Sequence, residues 1–344
     1  MKRKILVFAA LVVSSLFFQC SKELELNDPS KQVTIVYAII NPSEPTQYFK
    51  IYKGYLTDGN AIEAAQHWDN IYYHVDSIEV KLVEYNGANK VKEFLLDTTT
   101  AIPKDSGVFT YPAQLLYCTD EVINDESEYE LVITLASGKV VKSRIPICQS
   151  FRYSNLSESS QIALTAKKST ISFTSSANAL AYDIYQIFHY VEISKHSGEI
   201  VKRGSVKRKL NPSLITNLSN ESKISYSYAG NSIYSAIANE LKQDNTVTRY
   251  RDDHKCVEFI VYAAGEELLV YINSQTPTTS IVTDINIYSN IESEDGSGFG
   301  IFSSRNHIKG RYNIDNKSED SLVRGSITRH LGFDYLRNRP DMEN

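Results

Sequence analysis

The sequence predicts a mainly β protein in two domains: an N-terminal β-sandwich of Ig- or transthyretin-like type, then a C-terminal antiparallel β-sheet or barrel-like domain with one or two short helices. Three observations carry this. Apolar and polar residues alternate with period two in segment after segment rich in Tyr, Ile and Val, the pattern of half-buried strands. Helix-periodic segments are few and short. A polar, Ser-rich stretch near position 155 separates two groups of strands.

Along the first group, "DSIEVKLVEY" puts Ile78, Val80 and Leu82 on one face and Glu79 and Lys81 on the other. "YELVITL" repeats the pattern with Tyr129, Leu131, Ile133 and Leu135. "ASGKVVKS" then supplies a turn at Ser137-Gly138 and a returning strand, so residues 129–145 read as a hairpin. The boundary falls in "PICQSFRYSNLSESS", and the domains are read as 32–150 and 151–335, with a polar tail over 336–344. In the second group, "ALAYDIYQIFHYVEISK" is apolar on both faces over a long span, as a central strand must be. "KISYSYA" alternates Ile224, Tyr226 and Tyr228 against Ser225 and Ser227. Two helices are expected. "DGNAIEAAQHWD" is Ala-rich after turn residues, and "GNSIYSAIANELKQ" spaces Ile233, Ile237 and Leu241 four apart.

The first residues speak to compartment. Lys2, Arg3 and Lys4 precede an apolar run from Ile5 to Phe18, which reads as a signal peptide over 1–19. The run is shorter than the roughly 20 apolar residues that span a bilayer. Cys20 follows at once, and polar "SKELELNDPS" after it reads as a tether over 20–31. In the bacterial lipoprotein pattern Cys20 is lipidated and becomes the mature N-terminus. Phe17-Phe18-Gln19 lacks the small residue such signals carry, and the A-x-A-like pattern of an ordinary cleavage site is absent too. Acyl chains contribute about 0.8 kcal/mol per buried CH₂, so a two- or three-chain anchor holds without a membrane-spanning helix.

Loss of residues 1–19 removes three cations and no acid, taking the formal charge from −5 to −8. Such a chain lacks the clustered basic surface that nucleic acid requires. The most basic stretch, "VKRGSVKRK" over Val201–Lys209, reads as the solvated face of a strand pair. Cys118, Cys148 and Cys256 fit neither a zinc knuckle nor a C-x-x-C redox pair. Cys118 and Cys148 flank the predicted hairpin, and a disulfide between them is expected; it would contribute roughly 3–4 kcal/mol. Cys256, within "CVEFIVYA", reads as a small apolar filler.

The chemistry-bearing candidates are sparse. "HWDNIYYHVD" holds His67, Asp69, His74 and Asp76, residue types that can build a zinc or other transition-metal site if the chain converges them. The competing reading packs Trp68 and Tyr73 and leaves both histidines in water, and no metal or other cofactor is expected. "YSNIESEDGSGFGIFSSR", residues 288–305, has three glycines among carboxylates. It leads into a strand and lacks the Gly-Lys-Ser/Thr of a phosphate loop. Its spacing is not that of a calcium-binding EF-hand loop either. It reads as an acidic turn, then glycines that let two backbones approach. There is no G-x-S-x-G and no H-E-x-x-H, and the expectation is a non-enzyme. A hydrolase would have to join His189 or His254 to a carboxylate and a nucleophile, and Asp252-Asp253 beside His254 reads instead as an exposed hairpin tip. The 23 tyrosines suit either sugar stacking or the interior of a β-sandwich.

Several stretches in order carry a resemblance: "FFQCSKELE", "VYAIINPSEPTQYFKIYKGYLTDGNAIEAAQHWDNIYYHVDSIEVKL", "PKDSGVFTYPAQLLY", "YELVITLASGKVVKS" and "IYSNIESEDGSGFGIFSSR". Together they resemble the uncharacterised Bacteroidota outer-membrane lipoproteins grouped as domain of unknown function 4249. The resemblance implies that Asn290, Ile291, Gly298, Gly300, Ile301 and Phe302 are structural, with the glycines admitting a strand to the closing edge of a sheet. It carries over no catalytic residue. Cys20-Ser21-Lys22-Glu23 is similar to the acidic export signals of such lipoproteins, which implies an extracellular-facing outer-membrane location. Asp76-Ser77-Ile78, Asp97-Thr98-Thr99 and Asp320-Ser321-Leu322 fit the O-glycan acceptor pattern of that phylum. The expected role is non-catalytic binding or scaffolding, with the membrane as one partner and an outer-membrane transporter, of TonB-dependent type, or a glycan as the other.

Overall fold

A computed structural model describes residues 33–54, 60–219, 221–253, 255–275 and 288–340. The signal segment, Cys20, the tether and His254 lie outside the described residues.

Two sheets face each other in the first half of the chain. One is the order β17-β8-β7-β3-β4, built from β3 (Ile78–Asn86), β4 (Asn89–Leu95), β7 (Glu128–Leu135), β8 (Val140–Pro146) and β17 (Glu292–Ser293). The other is the near half of a long sheet, with β1 (Thr34–Ile40), β2 (Gln47–Lys53), β5 (Asp97–Thr99), β6 (Leu116–Thr119) and the start of β18 (Gly298–Ile314). Alternation decides which side chains go inside: along β7, Tyr129, Leu131, Ile133 and Leu135 are buried and the residues between them half-exposed. They share one core with Val36, Phe49, Ile51, Leu82 and Phe302. β7 and β8 form the hairpin, turning through Gly138 at φ +83°.

The far half of the long sheet runs β12-β11-β16-β18, with β11 (Ala181–Ser194), β12 (Ile200–Lys209) and β16 (Val257–Ala264). β11 is the expected central strand, flanked by β12 on one side and β16 on the other. β12 forms the sheet edge and is mostly exposed, as its lysines and arginines require. Short strands complete this half: β9 (Gln161–Ile162) beside β18, β13 (Ile215–Thr216) beside β11, and the pair β10 (Ser169–Thr174) and β14 (Lys223–Tyr228). A second core, with Phe173, Phe188, Phe259 and Ile237, lies under them. The two cores divide between Ile147 and Cys148, but Ile291 and Phe302, from near the chain end, return to the first.

Five short helices are described: α1 (Ala61–Ala64), α2 (Trp68–Ile71), α3 (Ser232–Glu240), α4 (Glu266–Gln275) and α5 (Asn316–Arg324). The Asn60 side chain caps α1 by accepting from the Ile62 and Glu63 amides. α3 buries Ile233 and Ile237, two of the three apolar positions expected on one face.

Four expectations change. β18 is no closing edge: β1 pairs with it in parallel over Gly298–Ser304, and β16 pairs antiparallel over Arg305–Tyr312, so one strand joins both halves of the sheet. Asp252 and Asp253 are at no exposed hairpin tip. β15 (Val247–Arg251) and β16 both pair with β11, Arg251 opposite Tyr190 and Val257 opposite Phe188, so the two strands follow one another along the same neighbour instead of folding back as a hairpin. Asp252 is buried there, and Asp253 lies 3.3 Å from the Arg339 guanidinium. Cys118 and Cys148 are not bonded. Cys148 sits fully buried at the seam, where its Sγ is 3.6 Å from the carbonyls of Asn178 and Ser304, while Cys118 is half-buried on β6 opposite Tyr48 and Asp97. Finally, α4 and α5 were not foreseen.

Candidate functional site

Concavities open along the seam of the long sheet. On β18, Phe302 and Ser304 turn inward: Phe302 enters the first core, and Ser304 Oγ donates to the Pro146 carbonyl. The alternate residues Ile301, Ser303 and Arg305 therefore look outward. α4 crosses this outer face, and its Leu268 amide donates to Ser303 Oγ at 3.1 Å. Two cavities open beside it, of about 500 and 320 Å³. Leu268 and Arg305 line both. These volumes fall within the range of small-molecule sites, roughly 300–1,000 Å³.

Tyrosines form the walls. In the larger cavity Tyr37 stacks on Tyr52 at 6.0 Å and meets Tyr271 of α4 edge-on at 6.2 Å. Burial pushes the Tyr271 hydroxyl up to about 12, and Tyr52 higher still. Tyr37 and Tyr48 keep 38% and 42% of their surface exposed, so their rings are available to a ligand. At one end Gln47, buried, donates to the Asn41 and Glu44 carbonyls and accepts from the Asn41 amide, fixing the β1–β2 turn.

In the smaller cavity Tyr185 meets Tyr262 edge-on at 5.8 Å. Lys207 Nζ sits 4.4 Å from the Tyr185 ring centre and the Arg305 guanidinium 5.9 Å from that of Tyr262. Asp183 is held by Lys209 at 2.8 Å. His307 lies against Tyr262, its Nδ1 3.2 Å from the Asn41 amide nitrogen. Burial, then the charges of Lys309 and Arg305 against the opposing pull of Glu44, lowers its pKa below the ordinary histidine value.

The other candidates are placed as follows. His67 is the N-cap residue of α2 without a side-chain cap bond, and Asp69 lies in that helix's first turn. His74 and Asp76 approach to 3.5 Å with 76% and 86% of their side chains exposed. Trp68 packs on Tyr72 at 4.3 Å. Among the described residues no three His, Cys, Asp or Glu side chains are grouped to hold a metal ion. His189 Nε2 is 2.8 Å from Glu258, whose carboxylate is 3.6 Å from Arg311. These three span β11, β16 and β18 as a cross-strand charge ladder. Thr98 is exposed, and Ser77 and Ser321 are half-buried.

The acidic turn closes on itself. Asp295 accepts from the hydroxyls of Ser293 and Ser297 and from the Ser297 amide, and Lys139 stands 3.2 Å away. The Ser297 hydroxyl first, then the amide and Lys139, hold its carboxyl well below the usual range. Asn290 donates to the Phe302 carbonyl and accepts from its amide, tying the turn to β18. Gly300 adopts φ +111°, and a Cβ there would lie 1.9 Å from the Val36 carbonyl oxygen.

Sequence reasoning named Tyr as a residue type for recognition but no residue of this groove. Arg305, Tyr37 and Tyr271 come from three separate stretches, and their meeting depends on β18 bridging the sheet. No protein-family model matches the sequence, and no curated protein is similar to it. Among solved structures, the "Crystal structure of CBD12 from CALX1.2" aligns at 10% identity and a TM-score of 0.16, over 82% of this chain and 100% of that one. A similarity at that level carries no argument.

Proposed function

We propose that this chain is an outer-membrane lipoprotein facing the extracellular side, anchored by acyl chains on Cys20, that binds or scaffolds without catalysing a reaction. The seam groove is the observation that supports it most. Its exposed groups include aromatic rings, the Arg305 guanidinium, Lys207 and Glu44, and other polar side chains around it, Gln47 and Asp183 among them, are tied into a turn and a charge pair. A binding surface has that character. The basic and apolar start followed by Cys20, together with the resemblance to Bacteroidota surface lipoproteins, supports the anchor and membership of that family. A TonB-dependent transporter is the partner this reading favours, and a glycan is the ligand favoured by the exposed rings of Tyr37 and Tyr48.

The anchor and the partner are tested together. Cys20→Ser should release the protein from the membrane fraction. Pull-down from detergent-solubilised envelopes should recover an outer-membrane transporter with the wild type. A Cys20→Ser chain that fractionates with the membrane as before contradicts the anchor, and a pull-down without a transporter contradicts the partner.

A further inference from the structure

We infer that the seam groove binds an acidic oligosaccharide, with sugar rings against Tyr37 and Tyr48 at one end and a carboxylate on Arg305. The inference rests on the reading of the chain as a surface-binding protein and names the chemistry of what it binds.

Ring chemistry comes first. A pyranose has a flat C–H face that packs on an aromatic ring, and tyrosine adds a hydroxyl at the polar edge. The aromatic surface here is divided into ring-sized patches: Tyr37, Tyr48 and Tyr271 at one end, Tyr185 and Tyr262 at the other. Ile301 and His307 mark the two ends along β18, so the patches lie about 20 Å apart at the strand rise of ~3.3 Å per residue. Separate flat patches in a row suit linked rings. The stacking of Tyr37 on Tyr52 and its edge-on contact with Tyr271 hold its ring in place before binding, which lowers the ordering cost.

Charge comes second. Arg305 stands between the two patches and lines both cavities. Its guanidinium contacts the Tyr262 ring, and among the described residues no carboxylate is within salt-bridge distance of it. Lys50 over Tyr52 and Lys207 over Tyr185 add positive charge at either end. Of the acids lining the cavities, Asp183 is neutralised by Lys209 at 2.8 Å, which leaves Glu44 at the rim. A local cationic excess on a chain of net charge −5 is complementary to an anion. Arg also takes a carboxylate in a two-point fork that fixes a ring's orientation.

The test uses the full-length chain purified in detergent. Tetrasaccharides of galacturonate, mannuronate and hyaluronan are titrated calorimetrically beside neutral maltotetraose and cellotetraose, with hexaglutamate as a peptide anion. At least one acidic tetrasaccharide should bind ten-fold or more tightly than both neutral ones and than hexaglutamate. Arg305→Gln should abolish that preference, and Tyr48→Ala, at an exposed position, should weaken binding at least five-fold with the thermal midpoint unchanged. The proposal is overturned if no acidic tetrasaccharide binds, if the neutral sugars or hexaglutamate bind as well, or if both variants bind like the wild type. Transporter recovery is measured on the same variants: co-purification that survives alongside absent sugar binding sinks this inference and leaves the surface-lipoprotein reading standing.

Discussion

Gly300→Ala tests the seam on which the fold depends. In the structure Gly300 has φ +111° and lies opposite Val36 in the parallel β1–β18 pairing. An added Cβ would stand 1.9 Å from the Val36 carbonyl oxygen and 3.0 Å from its nitrogen. Both obstacles are backbone, so no rotamer change relieves them. Strained φ for an L-residue costs about 1–3 kcal/mol, and forcing atoms into a packed site costs about 1–3 kcal/mol more. The expected loss is therefore about 4 kcal/mol, large among single substitutions. Gly87→Ala is the control: its φ is +59°, and a Cβ there meets nothing within 4 Å. It should lose only the left-handed penalty, about 1–2 kcal/mol. Urea unfolding followed by the fluorescence of Trp68, which packs on the first core, reads both variants. At a slope of about 1–3 kcal/mol per molar, Gly300→Ala should lower the midpoint by more than about 1 M. A midpoint equal to the wild type's, or equal losses in the two variants, would refute the close approach as the reason for glycine.

Arg249 and Glu192, 4% and 9% exposed, pair at 2.9 Å, and Arg249 also donates to the Leu331 and Lys242 carbonyls. Arg249→Met strands the buried carboxylate and should cost about 3–5 kcal/mol, with Glu192→Leu in the same chain recovering part; a loss under 1 kcal/mol in urea titration would contradict this. With Cys118 and Cys148 unbonded, reductant should leave the mass and the unfolding midpoint unchanged, and Cys148 and Cys256, buried and pushed up to about 11 and 12, should resist alkylation at pH 8. A mass gain of about 2 Da on reduction, one hydrogen per sulfur, would restore the disulfide. His307 has a folded pKa below its unfolded value of about 6.5, so the unfolded chain binds more protons in that window and stability should fall as pH drops through 6.5. His307→Gln should flatten that part of the profile; an unchanged slope between pH 7.5 and 5.5 would count against burial as its cause.

Much of the fold was legible because strands write their own period. Tyr129 to Leu135 alternates in sequence and in burial, and the two-sided apolar run at Ala181–Ser194 became the central strand it resembled. What was hidden has physical reasons. α5 is polar but for Leu322 and Val323, yet Asp315 caps it by accepting from the Ser318 amide and Gly325 follows its end, signals that a search for apolar periodicity passes over. α4 reads "EELLVYINSQ" and follows a strand directly through Gly265, so its start has no sequence contrast. Asp252-Asp253 resembles a turn because local sequence cannot tell a hairpin from two strands that follow one another along the same neighbour. The groove was invisible for a related reason. Arg305 sits beside glycines that drew attention to themselves as a loop, and only the pairing of β18 with both β1 and β16 places Tyr37 and Tyr262 on either side of it.

Mass spectrometry of the native polypeptide, extracted from envelopes in detergent, tests the central proposal most directly. The account predicts a first residue of Cys20 carrying fatty acyl chains. An amino terminus at any other position, or an unmodified Cys20, would contradict it.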